Sequence, residues 1–112
     1  MTIKIGVPKE VREGEQRVAL VPDSVNRLTK QDILVTLETG AGALAGYTDD
    51  YYENAEIAAS CAEILSKSDI CLTVNPASNE QIDQLKEGSI LIGYLNPHSD
   101  LERFNKLKAK NI

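Results

Sequence analysis

Short, almost uninterrupted apolar runs alternate with helix-like segments along this chain, and this alternation limits its possible folds more than any other feature. The clearest runs cover residues 3–7, 33–37, 69–74 and 89–95, and a weaker one covers residues 56–58. Such runs are typical of strands covered on both faces, as in a parallel sheet. We therefore expect an α/β fold, with an open and mostly parallel sheet of about five strands, Rossmann-like or flavodoxin-like, and helices on both faces.

The helix-like segments begin with recognisable capping sequences. Three serines stand three positions before a Glu or Gln, as in a capping box: Ser60, Ser78 and Ser99. Thr48 and the two aspartates after it predict a further short helix, and an earlier helix is predicted over residues 23–31, with Val25 and Leu28 facing inward. The alternation stops at residue 112, where another strand would begin, so we expect the domain to lack its following strand.

Composition excludes several classes of function. The net charge of −5 and the pI of 4.8 argue against nucleic-acid binding, which needs clustered positive charge. The basic run of Lys106, Lys108 and Lys110 is interpreted as the C-terminal end of a helix, where cations are favoured. No signal peptide and no apolar run of membrane-spanning length occurs, which predicts a soluble, untargeted chain.

The cysteine and histidine content argues against a metal site. Cys61 and Cys71 are the only cysteines and His98 is the only histidine, whereas a structural zinc site needs four ligands. Both cysteines lie among apolar residues, so we expect buried, reduced thiols, as in a cytoplasmic protein.

Gly40, Gly42 and Gly46 follow a strand-like run and resemble a dinucleotide-binding loop at first sight. In the G-x-G-x-x-G fingerprint the third glycine lies inside a helix that begins at the phosphate. Here the third glycine comes one position late, the helix start at Thr48 is later still, and the next strand ends in Asn75 instead of an acidic residue. We interpret the stretch as a connecting turn and assign no cofactor-binding residue to it.

The connection between the first strand-like run and the first predicted helix is unusually long. It covers residues 8–22, whereas a βα connection in such a fold usually has about 2–6 residues. It lies at the carboxyl edge of the predicted sheet, where open α/β sheets bind ligands. Within it, Arg17 is predicted to be partly buried and suited to a carboxylate or phosphate; an ion pair with Glu13 or Glu15 is an equal alternative. The lone His98 at the same edge is interpreted as solvated or capping.

The opening of the chain resembles a known family. Residues 6–10 are Gly-Val-Pro-Lys-Glu, residues 15–19 are Glu-Gln-Arg-Val-Ala, and Pro22 follows. This is similar to the start of the alanine dehydrogenase and pyridine nucleotide transhydrogenase alpha-subunit family, and the similarity extends over essentially the whole chain. The resemblance implies that residues 1–112 form the amino-terminal domain of a two-domain enzyme, with a Rossmann-type NAD-binding domain following.

Two positions separate the branches of the family. Alanine dehydrogenases hold pyruvate with the arginine that Arg17 matches and with a lysine where this chain has Thr73, and they place a catalytic histidine where it has Asn96. Without the lysine and the histidine, reduction of a 2-oxo acid would lack its general acid, which favours the transhydrogenase branch. Transhydrogenases often keep that lysine, and a shift of one or two residues aligns His98 with the histidine, so alanine dehydrogenase remains the alternative.

The resemblance therefore implies part of the NAD(H)-binding alpha subunit of a proton-translocating NAD(P) transhydrogenase, an oxidoreductase that transfers hydride between NAD(H) and NADP(H). NAD and NADP are the cofactors expected for the full enzyme, whereas this part alone is expected to be inactive and to bind neither. Expected partners are the following NAD-binding domain, the membrane and NADP-binding subunits, and a second copy in a homodimer.

The same resemblance implies a cytoplasmic location, peripheral to the inner membrane through the partner subunits, without direct insertion. Arg17 is the one candidate substrate-binding or cleft-lining residue, and no catalytic, cofactor-binding or metal-binding residue is assigned within residues 1–112. A stand-alone, non-catalytic binding module is the alternative from another class; a reading frame that ends at residue 112 would favour it.

Overall fold

The computed structural model describes residues 2–96 and 100–112 and contains one sheet flanked by helices. The strands are β1 (Lys4–Val7), β2 (Leu34–Glu38), β3 (Glu56–Ala58), β4 (Ile70–Leu72) and β5 (Ile90–Ile92). The helices are α1 (Pro22–Thr29), α2 (Cys61–Lys67), α3 (Asn79–Gln84) and α4 (Leu101–Ala109), with 3-10 turns at Ala43–Ala45 and Asp49–Tyr51. The strands lie in the order β3-β2-β1-β4-β5 and every pairing is parallel, which confirms the predicted fold class.

Side-chain alternation along β1 assigns the helices to opposite faces of the sheet. Ile5 and Val7 are buried with Val25 of α1, so α1 covers their face. Gly6, between them, faces α2, because a Cβ at this position would come within 2.5 Å of Ile64 Cγ2. A glycine in the central strand therefore lets α2 lie close to the sheet.

A second apolar cluster fills the face that α2, α3 and α4 cover. Leu65, Ile82 and Leu107, one from each of these helices, pack around Cys71 of β4. Burial raises the pKa of Cys71 to about 12, so its thiol stays protonated. Cys61, half-buried at the start of α2, has its pKa raised mainly by burial as well. Both cysteines are free thiols, as predicted, but the predicted burial holds for Cys71 and is wrong for Cys61.

The predicted helix starts are confirmed at two serines and wrong at two other positions. Ser60 accepts a hydrogen bond from the Glu63 amide, and Ser78 forms a complete capping box with Gln81. At α4 the N-cap is Asp100, which accepts from the Arg103 amide, and not Ser99, which lies outside the described residues. An ionised carboxylate is the stronger acceptor for an orphan amide, which explains the one-residue shift.

Thr48 also departs from the prediction. Its side chain makes no capping bond, and the segment after it is only a 3-10 turn. Asp49 instead turns back to the glycine-rich stretch, accepting from Gly40 N at 2.8 Å and from Thr39 Oγ1 at 2.6 Å. Gly42 lies under Tyr52, since a Cβ there would be 2.6 Å from the Tyr52 hydroxyl. The stretch is thus a closely packed turn between β2 and β3.

β5 is not covered on both faces, contrary to the prediction. Ile90 and Ile92 are 54% and 53% exposed, on the face that α1 covers elsewhere. They share that face with Ile70 and Leu72, their register partners on β4. The cause is that α1 lies over β1 and β2 and does not extend to this edge.

Within the described ranges, no helix combines the length and the apolar character needed to cross a bilayer. The same part of the chain holds no group of three or more His, Cys, Asp or Glu side chains placed to bind a metal ion.

Lys110 belongs to the basic run predicted at a helix C-terminus, but its ammonium contacts a different helix. Nζ donates to the carbonyls of Ile82, Asp83 and Leu85 at 2.9, 2.8 and 2.6 Å. These carbonyls belong to the C-terminal end of α3, where the helix leaves acceptors without intrahelical donors. One side chain from the end of α4 therefore caps α3 and joins the two helices.

We predict that Lys110→Met lowers the free energy of unfolding by about 2 kcal/mol, because half-buried carbonyls lose a charged donor. Lys108→Met, a matched change at an exposed position of the same helix, should alter it by less than about 0.5 kcal/mol. Urea unfolding at neutral pH measures both. Equal losses in the two variants would contradict the role assigned to Lys110.

Candidate functional site

The long segment that follows β1 is held against the end of β4 by one carboxylate. Glu10 Oε2 accepts from the Val74 amide at 3.1 Å, and Oε1 accepts from the Asn75 amide at 2.9 Å and from Asn75 Nδ2 at 3.2 Å. The two backbone donors lie just past the end of β4, beyond the ladder that pairs β4 with β1. The Glu10 side chain therefore accepts hydrogen bonds from backbone amides that β1 no longer pairs with.

The Asn75 side chain extends this contact to the rest of the segment. Its Nδ2 also donates to Glu15 Oε1 at 2.9 Å, and its Oδ1 accepts from Arg12 Nη1 at 3.2 Å. Both amide protons and the carbonyl oxygen of Asn75 are thus engaged. We call this arrangement the Glu10–Asn75–Glu15 bridge; it fixes the segment at the carboxyl edge of the sheet.

Arg17 forms the ion pair with Glu15 that the sequence offered as one of two alternatives. Arg17 Nε donates to Glu15 Oε2 at 3.0 Å and Nη2 donates to Oε1 at 2.8 Å, a two-point contact. The Arg17 side chain is 64% exposed and that of Glu15 only 8%, so the expected partial burial of the guanidinium is wrong. Residues 18–20 after Arg17 are only half-buried, which leaves its charged end in solvent.

The ion pair and the bridge together change the acidity of Glu15. The pKa of Glu15 falls from its ordinary value of 4.5 to about 2, chiefly through the Arg17 side-chain hydrogen bonds, with further contributions from the Arg17 amide and Asn75. The same contact raises the pKa of Arg17. Glu15 is therefore a permanent carboxylate near neutral pH, and its charge offsets much of the Arg17 charge.

A groove of about 470 Å3 lies beside Arg17, on the face of the sheet that carries α1. Its floor is apolar, formed by Leu72, Val74 and Ile92. Arg17, Thr73 and Tyr94 lie along its edge, and residues 18 and 19 form one wall. Arg17 and Thr73, the residue at the position that distinguishes the two branches of the family, thus line the same groove.

Thr73 occupies a tight position between the sheet end and residue 93. It is 8% exposed, and its Oγ1 has no hydrogen-bond partner among the residues described. A Cβ at Gly93 would lie 2.5 Å from this Oγ1, so the backbone of residue 93 packs directly on it.

Asn96, the other position that separates the branches, has a left-handed φ of 46°. It lines a second cavity, which Thr73 also lines. His98 lies outside the described residues.

Sequence reasoning did not assign Glu10 and Asn75 to the site. Both follow the carboxyl ends of strands, and that placement was the available signal. What was missing is the strand order, because only the adjacency of β1 and β4 brings these two residues together.

The sequence and the fold both match known proteins. The family model "Alanine dehydrogenase/PNT, N-terminal domain" matches residues 6–112. The chain is 36% identical over 110 residues to the NAD(P) transhydrogenase subunit alpha of Cereibacter sphaeroides, covering 96% of this chain and 21% of that protein. It is 34% identical over 110 residues to the alanine dehydrogenase of Bacillus subtilis, covering 96% of this chain and 29% of that protein.

A solved transhydrogenase from Sinorhizobium meliloti superposes with a TM-score of 0.90 at 25% identity, over 96% of this chain and 32% of that one. The matched region is an all-parallel α/β domain with a Rossmann-like fold. The chain belongs to the alanine dehydrogenase and pyridine nucleotide transhydrogenase family, as its amino-terminal domain. It spans between about a fifth and a third of the length of these relatives.

The lowered pKa of Glu15 predicts a specific loss of stability in acid. A carboxylate with a folded pKa near 2 and an unfolded pKa near 4.5 stabilises the folded chain above about pH 4.5, and this contribution is lost as the pH falls towards about 2. Glu15→Gln removes that contribution, so urea midpoints measured from about pH 6 to about pH 2.5 should fall less steeply than in the unmodified chain.

The matched control is Glu13→Gln, an exposed carboxylate on the same segment. Its urea midpoints should keep the pH dependence of the unmodified chain. Identical pH dependence in the Glu15→Gln variant and the unmodified chain would contradict the assignment of Glu15 as the carboxylate held by Arg17 and Asn75.

Proposed function

We propose that this chain forms the amino-terminal domain of the NAD(H)-binding alpha subunit of a proton-translocating NAD(P) transhydrogenase. The observation that carries the proposal is the environment of Thr73, a buried and neutral side chain at the position where alanine dehydrogenases have a pyruvate-binding lysine. Without that cation, a 2-oxo acid carboxylate beside Arg17 would meet a guanidinium already paired with Glu15. The cavity is therefore poorly suited to hold a small carboxylate.

The composition of the groove supports a different occupant. An apolar floor of Leu72, Val74 and Ile92 suits a flat and largely neutral ring, and Arg17 at its edge suits a nearby polar substituent. These features fit the nicotinamide end of NAD(H), held between this domain and the NAD-binding domain that the proposal places after it. The nicotinamide supplies the hydride chemistry when bound, while this chain's residues orient it and limit access of water.

The proposal extends to partners and location. The subunit acts with membrane and NADP-binding subunits, as a homodimer, on the cytoplasmic side of the inner membrane. The names of the relatives support the partner subunits, since the transhydrogenase matches from Cereibacter sphaeroides and Haemophilus influenzae are both alpha subunits. Arg17 then has a cleft-lining role.

Alanine dehydrogenase is the second candidate, because the chain is about as similar to alanine dehydrogenases as to transhydrogenases. A solved L-alanine dehydrogenase superposes with a TM-score of 0.90 at 30% identity, as closely as the transhydrogenase does. In this alternative Arg17 binds pyruvate directly.

The full-length protein, assembled with its membrane subunits, separates the two. We expect NADPH-dependent reduction of an NAD+ analogue with a shifted absorbance, and no oxidation of NADH by pyruvate and ammonia above the blank rate. Oxidation of NADH by pyruvate without transhydrogenation would contradict the proposal.

Arg17→Gln adds a second comparison, with Arg27→Gln as the matched change on the exposed end of α1. An alanine dehydrogenase would show a pyruvate KM raised by at least about tenfold in the first variant alone, because a charged contact to the substrate is lost.

A further inference from the structure

A second cavity at the carboxyl edge of the sheet lies on the opposite face from the Arg17 groove. It has a volume of about 480 Å3 and lies between residues 9–12, the ends of β4 and β5, and the beginnings of α3 and α4. Three cationic residues line it, Lys9, Arg12 and Arg103, against one acidic residue, Glu10. This concentration of positive charge stands out in a chain whose net charge is −5.

The lining carboxylate, Glu10, makes no direct ion pair with the cations. Both oxygens of Glu10 accept hydrogen bonds from Val74 and Asn75 at the end of β4. Arg12 is oriented by a single contact, from Nη1 to Asn75 Oδ1 at 3.2 Å, which leaves its other N–H groups for a ligand. The bridge thus keeps Glu10 out of an ion pair with the cations and places the Arg12 guanidinium at the cavity.

Arg103 contributes a donor that the protein leaves unused. Its Nη1 donates to the Leu95 carbonyl at 3.3 Å, and its Nη2 forms an ion pair with Asp100 Oδ2 at 3.6 Å, which offsets part of its charge. Its Nε is buried and has no hydrogen-bond partner in the described part of the chain, and the same holds for Thr73 Oγ1. Buried donors without partners are uncommon in folded proteins, and two of them on residues that line one cavity indicate a missing acceptor.

We propose that this cavity binds a phosphate group, with Arg12 and Arg103 as its principal contacts. The oxygens of a tetrahedral dianion can accept from two guanidinium groups that approach from different directions, whereas a planar carboxylate matches only one such fork well. Arg103 Nε and Thr73 Oγ1 supply further donors. The site opens on the opposite face from the Arg17 groove, with Thr73 lining both cavities. The proposal holds whether the full protein is a transhydrogenase or a dehydrogenase.

Titration of the 15N-labelled 112-residue chain with inorganic phosphate tests the proposal, with sodium chloride added to keep the ionic strength constant. The Nε–Hε signal of Arg103 should move to saturation with a dissociation constant of about 1 mM, a weak affinity expected for an open site. Arg12→Gln should weaken binding by about tenfold through loss of a charge-assisted contact. Arg27→Gln removes the same charge from the far face, at α1, and should change the affinity by less than about twofold.

Arg12 is substituted in place of Arg103 because Arg12 is exposed, so its variant should keep the fold, whereas a change at the half-buried Arg103 could disturb α4. A parallel titration with AMP identifies the source of the phosphate: tighter binding than inorganic phosphate indicates a nucleotide, and equal or weaker binding indicates the free ion. The proposal is overturned by shifts that do not saturate, by an unmoved Arg103 Nε signal, or by equal weakening in the Arg12 and Arg27 variants.

Discussion

The contact on which the site depends is the pairing of the Glu10 carboxylate with the amides just past the end of β4. The parallel strands β1 and β4 end here, and without Glu10 the amides of Val74 and Asn75 would have no backbone acceptor on β1. Glu10 Oε1 and Oε2 accept from Asn75 and Val74 and so complete the edge of the sheet. An unpaired, part-buried backbone donor is costly, so this one side chain determines where the following segment can lie.

Strand order explains why two cavities form here. β1 lies between β2 and β4, and the chain leaves it towards β2 on one side while β4 follows on the other, which makes the β1–β4 boundary the switch point of the sheet. The Glu10–Asn75–Glu15 bridge crosses that boundary and divides it into two cavities. One has an apolar floor with Arg17 at its edge, and the other is lined by Arg12 and Arg103.

Local features of the sequence predicted the fold well, whereas long-range contacts decided the site. The strand alternation and the caps at Ser60 and Ser78 depend on residues near in sequence, and the structure confirms them. The contact of Glu10 with Asn75 joins residues 65 positions apart and follows from strand order, which the sequence did not specify. Lys110 likewise caps a helix other than its own, because α3 and α4 pack side by side.

The central claim, that the bridge holds the long segment in place, is tested most directly by 15N relaxation of the Glu10→Gln variant. We predict that order parameters over residues 9–17 fall from about 0.85 to below about 0.6, and that the amides of Val74 and Asn75 lose protection from exchange, while Glu13→Gln changes neither. Order parameters and exchange rates that stay the same in Glu10→Gln as in the unmodified chain would contradict the account.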